Sequence, residues 1–415
     1  MHTPRVACLI AQHPAINHAV ILREVRNLRA ALDIYTVSMR GPDRPPDQLS
    51  PEERDEAGRT YYIKPQGALA AAVALARTLG SHPARFTTGL LYAAKLGGFA
   101  PKQLLLHLAY FAEAVMVGRW MRENGLTHLH THYSSTVALL VHEIFGLDIS
   151  ISFHGPDEFE NPSGFFIREK VAASTFVRAI SQYARSQLMK SSAASDWGRI
   201  HVVYMGVDPD AFAPRPFRRH PSPLEIICVG RLARAKAQHI LIAAVQNLLD
   251  SGRDVLLRLV GGGPDHKSLE EDVARRGIKS QVVIHGFTPQ AELEALYQQA
   301  DIFALPSFAE GVPGVLMEAM AMEIPCVSTW ITGIPELIRN GQDGLLVAPS
   351  DVEGCSEALR TLVDDPELRL RIGQAGRQRV LERFDLRRNS NELADLLNGS
   401  CQDAACSRAA AGRRP

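Results

Sequence analysis

Residues 308–329 read FAEGVPGVLMEAMAMEIPCVST. From Gly311 to Met322 the stretch is almost wholly apolar and small, the composition of a helix that enters a core. Glu318 nevertheless sits in its middle, and Glu310 stands eight residues earlier, beside Gly311. Pro313, between Gly311 and Gly314, marks the first turn of that helix, where proline is well tolerated. The uncovered N–H groups of such a start favour an anion. A buried carboxylate without a partner costs roughly several kcal/mol. Glu318 therefore needs a protein cation, a protein donor or a ligand hydroxyl, and its residue type alone does not choose among them.

On either side of this stretch short β-rich runs alternate with helical patterns. The first half of the chain carries RVACLIAQ, LDIYTVSM, THLHTHY, ISISFHG, RAISQ and IHVVYMGV. The second half carries LEIICVGRL, VLLRLVGGG, QVVIHGF, DIFALPS, IPCVST and GLLVAP. Apolar strands separated by crossover helices predict α/β architecture with parallel sheets covered on both faces. The pattern occurs twice, and 415 residues exceed what one hydrophobic core usually organises. Residues 206–223, GVDPDAFAPRPFRRHPSP, hold five prolines and the basic cluster Arg215, Arg218 and Arg219, a linker composition. The expected organisation is a first unit over 1–206, a linker over 207–223, a second unit over 224–384, a returning helix over about 385–398, and an unstructured tail over 399–415. Residues 41–59, rich in proline and charge, read as a surface loop of the first unit.

Lys plus Arg and Asp plus Glu balance at 45 each, which argues against a protein built mainly for nucleic acid. The six cysteines are scattered without a C-x-x-C pair, as in a reduced cytoplasmic protein. The N-terminus is a poor signal peptide, and no run of about eighteen apolar residues suggests a membrane span. Residues 66–122 are apolar with sparse Arg77, Arg85, Lys95, Lys102, Arg119 and Arg122. They read either as buried helices or as a surface resting on an anionic bilayer.

In open α/β sheets ligands bind beyond the carboxyl ends of the strands. In the second half those positions hold Gly230-Arg231, Gly261-Gly262-Gly263, Gly286-Phe287 and the segment from Ser307 to Gly311. In the first half they hold His132 and His154-Gly155. Arg231 and Lys236, following a glycine into a helix, suit a diphosphate, with a planar fork and a mobile point charge. They would equally suit a solvated surface loop. Two cations, a helix start and two acids together describe a site for a nucleotide bearing a polyhydroxylated group.

VGRL…K at 229–236, EGVPGVLMEAMA at 310–321, TGIPELI at 332–338 and NGQDGLLVAPSD at 340–351 resemble the retaining glycosyltransferases of family 4, with Glu310 and Glu318 as their E-x7-E motif. VILREVRNL and HLHTHY, taken with EGVP, resemble the exopolysaccharide and colanic-acid branch. That branch carries a Ser-Glu-Thr-Phe-like stretch where this chain has Asn17-His18-Ala19-Val20.

The resemblance implies the GT-B fold: two facing Rossmann-like domains, a ligand cleft between them, and a C-terminal helix crossing back to the first. It implies that Arg231 and Lys236, with Gly230, hold the donor diphosphate, and that Glu318 binds ribose. Glu310 would hydrogen-bond the transferred sugar with backbone help from Gly311, Val312, Pro313 and Gly314. His154 would reach the donor sugar from the first domain, with Asp157 and His132 as weaker candidates. The backbone of Gly286 and Phe287 would lie near the base. No metal or other cofactor is expected.

The partners so implied are a nucleotide-diphosphate sugar and a glycan or polyprenyl-diphosphate-linked acceptor. The expected place is the cytoplasm, at the inner membrane surface. A soluble-acceptor phosphorylase or sugar-phosphate synthase and a non-catalytic scaffold remain alternatives. So do three local readings. Asp208-Pro209-Asp210 could bind a metal or simply form a turn. His128, His130 and His132 share one strand face, as zinc ligands or as packed side chains. Glu310 and Glu318 could be a glycosidase pair, which the diphosphate clamp argues against.

Overall fold

A computed structural model describes residues 4–288 and 290–411. The chain divides into two compact units. One holds residues up to Ile180, Ala184–Val203 and the chain from Ser390; the other holds Ser181–Tyr183 and Tyr204–Asn389.

The first unit is built on seven strands: β1 (Arg5–Gln12), β2 (Asp33–Arg40), β3 (Tyr61–Tyr62), β4 (His128–His132), β5 (Asp148–Phe153), β6 (Phe176–Ala179) and β7 (Ile200–Val202). They lie in the order β3-β2-β1-β4-β5-β6-β7, parallel throughout. Val6 to Ile10 of β1 are all buried, as expected of a strand with both faces covered. Leu9, Val37, Leu129, Ile151 and Val177 of the sheet pack with Phe111, Val115, Met121 and Val141 of the helices into one core. The two-residue β3 is too short to have shown in the hydrophobic pattern.

Residues 41–59 are not simply a loop, because Pro51–Arg59 is helical. Ser50 accepts from the Glu53 N–H while Glu53 reaches back to the Ser50 N–H, a capping box that the sequence Ser-Pro-Glu-Glu encodes. The apolar stretch after residue 66 forms three helices, Gly67–Ser81, Pro83–Gly97 and Pro101–Glu123. The last is, by length and composition, apolar enough to cross a membrane, with 44% of its apolar window buried. Glu113 and Arg119 interrupt its apolar stretch, so no unbroken run of about eighteen apolar residues occurs there, as the sequence reading held.

The second unit has six parallel strands: β8 (Leu224–Val229), β9 (Val255–Val260), β10 (Val282–Gly286), β11 (Ile302–Leu305), β12 (Cys326–Thr329) and β13 (Leu345–Val347). Their order is β10-β9-β8-β11-β12-β13. The chain adds β9 and β10 on one side of β8, then returns to lay β11 on the other. Crossovers that diverge in this way leave a crevice beyond the carboxyl ends of β8 and β11.

The basic residues of the 206–223 segment are committed to structure. Arg218 Nε lies 3.0 Å from Asp301 Oδ1, and Asp301 Oδ2 also accepts the Glu225 N–H at 2.8 Å. Asp208 and Asp210 both face Arg387, at 3.8 and 3.1 Å, and Asp208 Oδ1 accepts the Asp210 N–H. Helix Pro366–Arg383 ends just before Phe384-Asp385, and a second helix runs Leu386–Ala411. The tail expected from residue 399 is therefore helical through Ala411. From Ser400 to Ala411 it is rich in alanine and free of proline, which favours continuation. Residues 412–415 lie outside the described residues.

Backbone closeness at the head of β8 requires glycine. Gly261 has φ +139°, and a Cβ there would fall 2.1 Å from the Gly230 carbonyl oxygen; at Gly263 it would fall 2.2 Å from the Leu232 carbonyl oxygen. Gly262 has open space, its nearest atom being the Phe287 Cβ at 3.8 Å. Gly261→Ala should destabilise the protein by about 2–4 kcal/mol through overpacking and backbone strain. Gly262→Ala should stay within about 1 kcal/mol. Urea midpoints of the two variants check the contrast; equal losses would contradict it.

Candidate functional site

The crevice at β8 and β11 gathers the residues named for the diphosphate and sugar. After β8 the chain passes Gly230 and Arg231, and Ala237, at φ +53°, turns it into helix Gln238–Asp250. The stem of Lys236 lies over Gly230, close enough that a Cβ there would touch its Cδ and Cε at 3.9 Å. The Lys236 ammonium then meets Glu310 Oε1 at 2.5 Å. Ser307 Oγ donates to the same oxygen at 2.7 Å, and Thr332 Oγ1 donates to the Glu310 carbonyl. The Phe308 N–H binds the Ala235 carbonyl at 2.8 Å, stitching the two loops together. Arg231 is exposed, and its guanidinium has no partner among the described residues. The cation and acid assigned to different parts of the donor are thus in direct contact, with Ser307 as a third member that sequence spacing did not single out.

Helix Gly314–Ala321 takes Pro313 as its extended N-cap residue, one position before the first turn expected for it, with no side chain capping it. Val312 and Pro313 are buried, while Gly311 and Gly314 are partly open. A Cβ at Gly333 would strike the Gly311 carbonyl at 2.6 Å, so the 332–338 turn packs tightly on this helix start. Glu318 is 8% exposed and accepts from the Tyr297 hydroxyl at 3.2 Å. A protein donor thus supplies at least part of what a buried carboxylate needs. Tyr297 is wholly buried, and burial, followed by the Glu318 charge, raises its pKa well above the usual range. It lies 21 residues before Glu318 in the chain, on helix Gln290–Gln299, and only the fold brings it there.

Gly286, at φ +68°, ends β10, and Phe287 follows with its ring about half exposed, beside Gly262. Glu336, in the 332–338 turn, accepts the N–H groups of Gln182 and Tyr183 at 2.7 and 2.8 Å and the Tyr204 hydroxyl at 2.9 Å. That is a structural use of an acid that the sequence reading passed over.

His154 and His132 belong to the first unit, at the carboxyl ends of β5 and β4. Register sets His130 opposite Ser150 and His132 opposite Ser152. His130 uses both ring nitrogens on the Ser150 and Ser152 hydroxyls, at 2.8 and 3.0 Å, and His128 shares Ser150 at 2.8 Å. These histidines are packed side chains, and no metal-binding cluster occurs among the described residues. His132 Nδ1 meets His154 Nε2 at 2.8 Å, one donating and the other accepting. Behind it lies Glu24, 3.8 Å from His132 Nε2 and ion-paired with buried Arg178 at 2.7 Å. Asp157 is exposed; its neighbour Glu158 is the acid that engages the site, accepting the His154 N–H at 2.6 Å and the Gly155 N–H at 3.3 Å.

Burial holds His130, His132 and His154 neutral, their pKa values well below 6.5, with nearby histidines and Arg178 adding to the effect. Glu158 moves the other way, pushed up to about 7 by burial despite its two N–H donors. A depressed histidine contributes stability above its unfolded pKa and loses it as pH falls. A raised carboxyl contributes below its unfolded pKa and loses it as pH rises towards 7. Between pH 6 and 5 the three depressed histidines of this cluster outweigh its one raised carboxyl, so the cluster binds more protons unfolded than folded. Stability should therefore drop on acidification through that window, and Glu158→Gln should steepen the drop by about one proton. Urea unfolding at several pH values tests this, and a flat profile from pH 6.5 to 5 would contradict it.

Residues 212–379 match the family model described as glycosyl transferases group 1. A protein of Escherichia coli K12 named as the colanic acid biosynthesis glycosyltransferase WcaL is 32% identical over 301 residues, 70% of this chain and 69% of that one. A GDP-mannose-dependent α-(1-6)-phosphatidylinositol monomannoside mannosyltransferase of Mycolicibacterium smegmatis is 32% identical over 239 residues, 54% of this chain and 62% of its own length. Among solved structures, Alr3699/HepE of Anabaena, in complex with UDP and glucose, superposes with a TM-score of 0.72 at 18% identity, covering 96% of this chain and all of that one. At that identity the likeness speaks for the fold, which is GT-B. With a relative above 30% identity matched over more than two thirds of both chains, this protein belongs to the group 1 glycosyltransferases.

Proposed function

We propose that the protein is a retaining, metal-independent glycosyltransferase of family 4, moving a sugar from a nucleotide-diphosphate donor to a hydroxyl of a glycan or polyprenyl-diphosphate-linked acceptor. It would serve surface-polysaccharide synthesis at the cytoplasmic face of a bacterial membrane. The observation that carries the reading is the convergence of Lys236, Glu310, Ser307 and an uncapped helix start at the carboxyl ends of β8 and β11, with the Arg231 guanidinium beside them in sequence. The relatives support the donor class, since one is named as GDP-mannose-dependent and a fold neighbour is solved with UDP and glucose. Colanic acid synthesis in the name of another supports the polysaccharide context.

On this reading Arg231, Lys236 and the N–H groups at Gly314 stabilise negative charge as it gathers on the departing diphosphate. The bond from the anomeric carbon to that diphosphate breaks while the acceptor oxygen bonds from the same face. The acceptor proton passes to a phosphate oxygen of the leaving group, so neither glutamate becomes a nucleophile. Glu310 orients the sugar hydroxyls, and its contact with Lys236 lets one residue align the other's charge between phosphate and sugar. Glu318, held by Tyr297, is assigned to ribose on the sequence resemblance, and Gly286-Phe287 to the neighbourhood of the base. In the first unit, His154 is assigned to the transferred sugar on the sequence resemblance, as a neutral imidazole oriented by His132.

A thermal-shift panel of UDP-, GDP- and ADP-sugars tests the donor. A ligand at a hundred times its Kd should add about 2.7 kcal/mol of stability. Arg231→Ala should raise the donor Kd about 10- to 100-fold, the loss of a charge-assisted hydrogen bond. Glu310→Gln should lower kcat with little change in nucleotide affinity. Activity should survive exhaustive chelation, and the product should keep the donor's anomeric configuration by NMR. Absence of any nucleotide or nucleotide-sugar binding would remove the reading.

A further inference from the structure

From Ala57 to Ala112 the chain has no aspartate or glutamate, although it is neutral overall, and it carries Arg59, Lys64, Arg77, Arg85, Lys95 and Lys102. Within this span helices Pro83–Gly97 and Pro101–Glu123 form a tight hairpin. A Cβ at Gly97 would lie 2.7 Å from the Leu104 Cα, so the helices meet almost backbone to backbone at the turn. The tip is Gly98-Phe99-Ala100, and the Phe99 side chain is fully exposed, at 106% of its reference area. Leu91 and Leu105, to either side of the tip, are 66% and 70% exposed, and Leu106 is exposed beside them. Leu91 and Lys95 share one helix face, as do Lys102, Leu105 and Leu106, by their spacing of three and four residues. The second helix spends its apolar residues unequally. Phe111, Ala114, Val115, Val117 and Met121 are buried in the core, whereas its first turns project apolar side chains into solvent.

We propose that this hairpin tip is a membrane-docking element that inserts Phe99 and Leu105 at the headgroup boundary of an anionic bilayer, with Lys95 and Lys102 on the phosphates. A phenylalanine at an apex is exposed at a cost in apolar hydration that folding does not recover. The flanking lysines and the acid-free span supply the charge complement of an anionic surface, which a second copy of this same basic hairpin would not. Apolar insertion and electrostatic attraction are the two contributions that interfacial binding requires together. The inference deepens the proposed function by naming the surface that would bring the enzyme to a lipid-linked acceptor.

The test is flotation of the full chain with vesicles of phosphatidylcholine containing about one third phosphatidylglycerol, beside pure phosphatidylcholine, at low and high salt. Binding is expected to the anionic vesicles only and to weaken with salt. Lys95→Glu and Lys102→Glu should each reduce it about fivefold or more. Phe99→Asp, at a site with no packing to lose, should reduce it at least tenfold while leaving the melting temperature and donor-nucleotide binding unchanged. The protein failing to float, or floating equally after these substitutions, would overturn the proposal. So would a concentration-dependent dimer in sedimentation that Phe99→Asp abolishes, since the tip would then be covered by a second copy. Nucleotide binding is read separately, so failure of the donor reading and failure of membrane docking are distinguishable.

Discussion

The contact between Lys236 and Glu310 is the point on which the second unit's chemistry turns. It joins the loop after β8 to the loop after β11, and those strands are neighbours because the chain reverses direction across the sheet there. Without the reversal, the helices following the two strands would pack side by side and close the crevice. With it, the loops stay open, and each needs its own fastening. The Phe308 N–H to Ala235 carbonyl bond and the Thr332 hydroxyl on the Glu310 carbonyl supply that fastening. A partly exposed ammonium and a buried carboxylate are then held against each other in the open crevice.

The two units treat buried polarity in different ways. The second surrounds each acid with donors from separate parts of the chain: the Tyr297 hydroxyl donates to Glu318, Arg218 and the Glu225 N–H to Asp301, and two N–H groups and a tyrosine to Glu336. The first assembles a ladder, in which histidines of β4 face serines of β5 across the parallel register and His132 ends the ladder on His154. At the His132–His154 contact one ring nitrogen must accept, so both imidazoles cannot be protonated there, which ties that end of the ladder to pH. The same alternation that suggested a metal site is satisfied by hydroxyls one strand away.

Glycine does the complementary work of bringing backbones close. At Gly261 and Gly263 it lets the loop after β9 press on the loop after β8, which keeps Arg231 and Lys236 at the edge of the crevice. At Gly97 it lets two helices of the first unit meet in a sharp hairpin whose tip is apolar and cationic. Absence of a side chain shapes a crevice in one unit and a projecting surface in the other.

The alternation of apolar strands with helices, the repeat of that pattern, and the positions of glycines, cations and acids after strands were all legible in the sequence, because local composition and spacing report burial and period. Eleven of the strands coincide closely with apolar runs, whereas β3 is too short to carry a pattern and RAISQ catches only the end of β6. The capping box at Ser50 and Glu53 is encoded locally by Ser-Pro-Glu-Glu, and alanine content from Ser400 favours the helix that runs through Ala411 despite Gly399. Tertiary structure alone decided partners. That Glu318 meets Tyr297, that Ser307 joins Lys236 on one carboxylate oxygen, that Glu158 rather than Asp157 braces His154, and that Asp208 and Asp210 face Arg387 all depend on side chains brought together across crossovers or by the aim of a single turn. Period and propensity act over a few residues, whereas pairing of buried charge and hydrogen-bond donors is settled by the three-dimensional path of the chain.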